Sequence, residues 1–185
     1  MHLCKPINRV MKKLLIAISL TPFLCFGQNP VDTISYNISS VFEVKQADAG
    51  LLQSRARVFI AEAFRSRKAV VQLDDTVNHV LVVRANIIPE IKTFAYGRVR
   101  YGRVNFLMEL RFKNKKYKVN LSEFIHESDG PGVYSGGSLQ NKRPACSIWN
   151  LTEGNWRKIK ENVNLQISQL LIAMKTSIEQ SGNDF

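Results

Sequence analysis

The sequence predicts an α+β domain in which helices cover one face of an antiparallel sheet of about five strands, in the order β-α-β-β-β-β-α. Two segments, one following residue 47 and one following residue 152, repeat apolar residues at three- and four-residue steps. The stretches between them alternate apolar and polar residues, the period of a half-buried strand. No internal repeat or low-complexity tract interrupts this order, and an apolar fraction of 45% over 185 residues is enough for one core.

The first segment precedes the domain. From Met11, "MKKLLIAISLTPFLCFGQ" opens on Lys12 and Lys13, continues as an apolar run to Phe26 and closes on small residues before Gln28. These are the three parts of a secretory signal, so residues 1–27 are expected to be a signal peptide, with Met11 as an alternative start. The run is too short for a membrane span of roughly 20 apolar residues. Leu24 is too bulky to precede an acylated cysteine, which argues against a lipoprotein held through Cys25. The expected location is therefore the periplasm or cell envelope, with no transmembrane helix after cleavage. Removal of residues 1–27 takes out Lys5, Arg9, Lys12 and Lys13 and no acid, lowering the net charge from +11 to +7. Cys146 then remains as a lone cysteine, so no internal disulfide is available and the core must hold the fold.

Residues 28–36 read as a short leader. Ile38, Phe42 and Val44 then mark a first strand, and "ADAGLLQSRARVFIAEAF" sets Leu52, Ala56, Phe59, Ile60 and Ala63 on one face of a helix. "KAVVQLDD" predicts a second strand ending in a turn at Asp74 and Asp75, and "VNHVLVVRANII" a third stopped by Pro89. Residues 90–97 lack a clear period and are expected to be a loop. In "RVRYGRVNFLMELRF", Val99 and Tyr101 lie on the opposite phase from Val104, Phe106, Met108, Leu110 and Phe112, so a β-bulge is expected at Gly102. "KNKK" turns the chain, and Tyr117, Val119 and Leu121 point inward on the return strand. The Gly- and Ser-rich stretch to residue 150 predicts a long loop. From Thr152 as N-cap, a final amphipathic helix (151–181) carries Trp156, Ile159, Val163, Ile167, Leu170, Met174 and Ile178 in one stripe.

The strand "VFEV", the helix with its aromatic pair "VFIAEAF", "AVVQLDD", and the strand pair "RVRYGRVNFLMEL" and "KKYKVNLSEFIH" together resemble an exported bacterial domain of unknown function with a TATA-binding-protein-like (TBP-like) fold. The resemblance spans residues 37–127 and implies that the sheet is curved and backed by helices. It implies no activity and transfers no site, since fold is not function. The DNA-binding namesake builds its saddle from two such repeats, and only one is present.

The charged and reactive side chains supply the candidate sites. Arg103, Arg111, Lys113, Lys116 and Lys118 share the outward face of the hairpin, with Tyr101 available to stack, and these six are the candidate binding residues. Export argues against nucleic acid and in favour of an envelope protein or an anionic polysaccharide. A solvated face, basic enough to discourage edge pairing, accounts for the same charges without a ligand. His79, His126 and Cys146 have no metal-ligand spacing, so neither a metal nor another cofactor is expected. "GPGVYSGGS" raises a hydrolase built around Ser135 as the alternative, although it lacks the G-x-S-x-G elbow. Neighbouring Asp74 and Asp75 point to opposite faces of a strand and read as a strand stop. Trp156 is in phase with the apolar stripe and is expected in the core. The predicted function is a non-enzymatic binding or structural module, with its oligomeric state unspecified.

Overall fold

The computed structural model describes residues 36–64, 70–93, 97–129, 135–145 and 151–180. The expected signal peptide, the leader as far as residue 35 and Cys146 lie outside the described residues. Within them the chain runs β1 (Ile38–Glu43), α1 (Ala49–Ala63), β2 (Val70–Asp75), β3 (Val80–Ile87), β4 (Glu90–Thr93), β5 (Gly97–Arg100), β6 (Arg103–Lys113), β7 (Lys116–Glu127), β8 (Gly137–Ser138) and α2 (Glu153–Gln180).

The α+β architecture is as the sequence predicts. The main sheet has the antiparallel order β1-β7-β6-β3-β2, with the short β8 also paired to β7. Strict alternation along β3 and β6 sends Leu81, Val83, Ala85 and Ile87, and Val104, Phe106, Met108 and Leu110, into the core. The two helices pack over that inner face. In α1 the predicted stripe is buried through Leu52, Ala56, Phe59 and Ile60, and Asp48 caps the helix by accepting from the Leu51 N–H at 2.7 Å. Gln53 is buried on the same stripe because its amide donates to the Asp74 carboxylate at 2.8 Å. In α2, Trp156, Ile159, Val163, Ile167, Met174 and Ile178 are buried, and Thr152 Oγ1 accepts from the Asn155 N–H at 3.2 Å as its N-cap. No helix among the described residues is long and apolar enough to cross a membrane.

Three local expectations are corrected. The stretch expected to be a loop at 90–97 holds β4 and the first residue of β5, and the two strands pair as a separate two-stranded ribbon with Glu90 opposite Arg100 and Lys92 opposite Arg98. Gly102 is accordingly no bulge inside one strand; it is the joint at which the chain leaves the ribbon and enters β6. Its φ of +59° and a Cβ position only 2.1 Å from the Glu127 carbonyl oxygen admit glycine alone.

The register shift lies instead on β7, where Leu107 faces Ser122 but Asn105 faces Ile125. The extra residue is accommodated around Glu123, at φ +55°, and it exchanges the inward set. Tyr117, Val119 and Leu121 point inward before it, Phe124 and His126 after it. Finally, the Gly/Ser-rich segment contributes β8 and buries Leu139 against the domain.

Candidate functional site

Four of the six candidate binding residues converge. Arg111 faces Lys118 and Lys113 faces Lys116 across the β6–β7 hairpin, so two like-charge pairs sit directly opposite each other on the outer face. Such pairs oppose sheet formation by a few tenths to about 1 kcal/mol each. Glu109 accepts from Arg111 at 2.5 Å, and Glu43 lies opposite Lys116 in the register of β1 with β7. Lys113, Lys116 and Lys118 have no ion pair among the described residues. The turn beneath them is tied down: Asn114 accepts from the Ala49 N–H at 3.2 Å, and Lys115, at φ +65°, donates its N–H to the Ala47 carbonyl at 2.8 Å. The cations are thus presented on a platform bolted to the start of α1.

Arg103 and Tyr101 are placed elsewhere. Arg103 sits at the opposite end of β6 and pairs with Asp129 at 3.2 Å. The Tyr101 hydroxyl accepts from the Asn155 amide at 3.3 Å, at the start of α2, away from the basic face.

Ser135 was the candidate for nucleophilic chemistry, and His126 its nearest base in sequence. His126 is 1% exposed. The Gly136 N–H donates to Nδ1 at 2.9 Å, which leaves Nε2 to carry the proton it donates to the Tyr101 carbonyl at 2.9 Å. The imidazole meets Trp156 edge-on, with centroids 5.8 Å apart and an interplanar angle of 89°. Burial holds its pKa below the ordinary histidine value, partly offset by the Tyr101 carbonyl and the charges of Asp129 and Glu127. With both nitrogens committed to backbone, this ring takes no proton from Ser135. Ser135 Oγ itself accepts from the Ser128 N–H at 3.1 Å. The group works as a latch that joins β7, the Gly102 joint, the 135–145 segment and α2. A Cβ on Gly136 would lie 2.4 Å from the Trp156 ring, so glycine is required where the segment crosses it.

A cleft of about 800 Å³ opens between the β4–β5 ribbon and α2. Lys92, Arg98 and Arg100 line one wall, and Asn162, Gln166 and Gln169 the other. No residue of this cleft was singled out from the sequence. The alternation in "EIKT" and "GRVR" was the available signal, hidden because each strand is only four residues long.

Comparison with known proteins decides the family. Residues 39–127 match the family described as "Domain of unknown function (DUF4468) with TBP-like fold". This segment is a DUF4468 domain. Two solved structures share its fold. A DUF4468 family protein from Bacteroides ovatus aligns with a TM-score of 0.62 at 10% identity, covering 78% of this chain and 86% of that one. A TBP-like protein from Parabacteroides distasonis aligns with a TM-score of 0.59 at 6% identity, covering 79% and 94%. At such identities the likeness establishes the DUF4468 architecture alone. No curated protein matches the chain in sequence.

Proposed function

We propose that this protein is an exported, non-enzymatic binding module of the cell envelope, whose basic hairpin face takes an anionic polysaccharide. The observation that carries the proposal is the facing of Arg111 with Lys118 and of Lys113 with Lys116 on a turn anchored to α1. A pair of like charges held in register is a liability to the fold alone and an asset once a polyanion lies across it. The export half rests on the "MKKLLIAISLTPFLCFG" segment. Engagement of both His126 nitrogens weighs against the alternative hydrolase at Ser135.

The binding test is retention of the mature chain on immobilised polygalacturonate across a salt gradient. Binding should weaken steeply as salt shortens the screening length from about 10 Å at 0.1 M to about 3 Å at 1 M. It should be lost in the Arg111→Glu, Lys118→Glu double variant. Salt-insensitive retention, or retention unchanged by the reversal, would sink the polysaccharide proposal. The intact mass of protein from fractionated cells tests export. A species beginning at Gln28 in the periplasmic fraction is expected, and a full-length cytosolic species would overturn it.

A further inference from the structure

The cleft between the β4–β5 ribbon and α2 lies at the other end of β6 from the basic hairpin. Ten residues of strand separate Arg103 from Lys113, or roughly 30 Å at the usual rise. Its cations belong to no predicted site. Lys92 and Arg98 face each other directly across the two-stranded ribbon, a third like-charge pair in register. Arg100 is paired with Glu90 at 3.3 Å, whereas Lys92 and Arg98 have no ion pair among the described residues. The ribbon's charged wall therefore presents a net positive charge toward the helix.

The opposite wall is fixed rather than loose. Gln166 donates to the Ile88 carbonyl at 3.0 Å and to Asn162 Oδ1 at 2.8 Å, and the Glu90 N–H donates to the same Asn162 oxygen at 3.2 Å. These bonds stitch α2 to the base of the ribbon and hold the two walls apart at a set width. Beyond Gln166 and Gln169, which it shares with the cleft, a smaller pocket of about 260 Å³ is floored by Phe64, Ile87 and Leu170. Phe64 and Ile87 are buried core residues, so its floor is apolar. A cationic chamber of small-molecule size thus adjoins a smaller apolar one, with Gln166 and Gln169 lining both.

We propose that this composite cleft binds an amphipathic anion, with a carboxylate or phosphate head between Lys92 and Arg98 and a short alkyl chain in the pocket over Phe64, Ile87 and Leu170. A guanidinium suits either head, because both present oxygens at the spacing of its N–H groups. The chain supplies the apolar area that the neighbouring pocket would remove from water. The site is independent of the basic hairpin face, and its occupant is a small molecule rather than a polymer.

Titration calorimetry of the mature chain with decanoate and with decyl phosphate, each below its micelle concentration, tests the proposal. Saturable binding with one ligand per chain is expected. Affinity should rise roughly fourfold for each methylene from hexanoate upward. The tighter of the two ligands identifies the head group. The Lys92→Gln, Arg98→Gln variant should weaken both ligands at least tenfold, and Ala173→Phe, which fills the apolar pocket, should abolish the dependence on chain length. The Arg111→Glu, Lys118→Glu variant should bind both ligands as the native chain does, which keeps this site distinct from the polysaccharide face. Absence of saturable binding, inorganic phosphate binding as tightly as decyl phosphate, or indifference to the Lys92 and Arg98 changes would overturn it.

Discussion

The His126 latch makes the stability of this fold sensitive to mild acid, with a sign and a ceiling that follow from the geometry. In the folded chain the ring is buried and neutral, its Nδ1 occupied by the Gly136 N–H. Protonation at Nδ1 would set two donors against each other. Burial accordingly lowers the folded pKa below the unfolded value near 6.5. A histidine with a lowered folded pKa gives the unfolded chain more bound protons at acid pH, so stability falls as pH drops through 6.5. The loss begins as the unfolded imidazole starts to protonate, is small above about pH 7, and steepens below 6.5. The slope cannot exceed about 1.4 kcal/mol per pH unit, and between pH 7.5 and 5.5 the loss integrates to at most about 1.4 kcal/mol. Urea unfolding of the native chain and of His126→Phe at both pH values isolates the effect, because other titrating groups are common to the two. The variant leaves the Tyr101 carbonyl and the Gly136 N–H without their partner, at about 1–3 kcal/mol each. It should therefore be the less stable at pH 7.5, and the gap should narrow at pH 5.5, by no more than that ceiling. A gap independent of pH would refute the buried neutral imidazole. If the variant fails to fold, the NMR titration of the native ring decides the matter: a midpoint at or above 6.5 would refute it equally.

Two further outcomes follow from the joint and the hairpin. Gly102→Ala should destabilise by about 2–5 kcal/mol, from the left-handed backbone and from a Cβ driven into the Glu127 carbonyl, whereas Gly97→Ala should cost only about 1–2 kcal/mol. The contrast arises because Gly97 shares the positive φ, at +68°, but has nothing within 4 Å of its Cβ position; equal losses in urea melts would refute it. Lys118→Glu turns the repulsive pairing with Arg111 into an attractive one, so it should raise stability by about 0.2–1 kcal/mol while weakening retention on polygalacturonate. A loss of both stability and retention would mean that the basic face holds the fold together.

What the sequence determined by itself is the part of this protein governed by local period. Alternation through β3 and β6, helical spacing through α1 and α2, and the Thr152 cap each depend on neighbours a few residues away, so Leu52, Phe106 and Trp156 were legible as core before any contact was known. The clustering of Arg111, Lys113, Lys116 and Lys118 was legible for the same reason, since a tight hairpin fixes its own register. Tertiary structure decided the rest. The bulge at Glu123 is imposed by pairing with β6; it turns His126 inward, and no local pattern announces which strand of a pair takes the extra residue. The division at Gly102 depends on the approach of Glu127, twenty-five residues on. Lys92 meets Arg98 only because the chain folds back into a ribbon, and the cleft acquires its second wall only when α2, some seventy residues later, packs beside it. Burial and register are properties of partners distant in sequence, and it is they that separate a solvated basic stretch from a site.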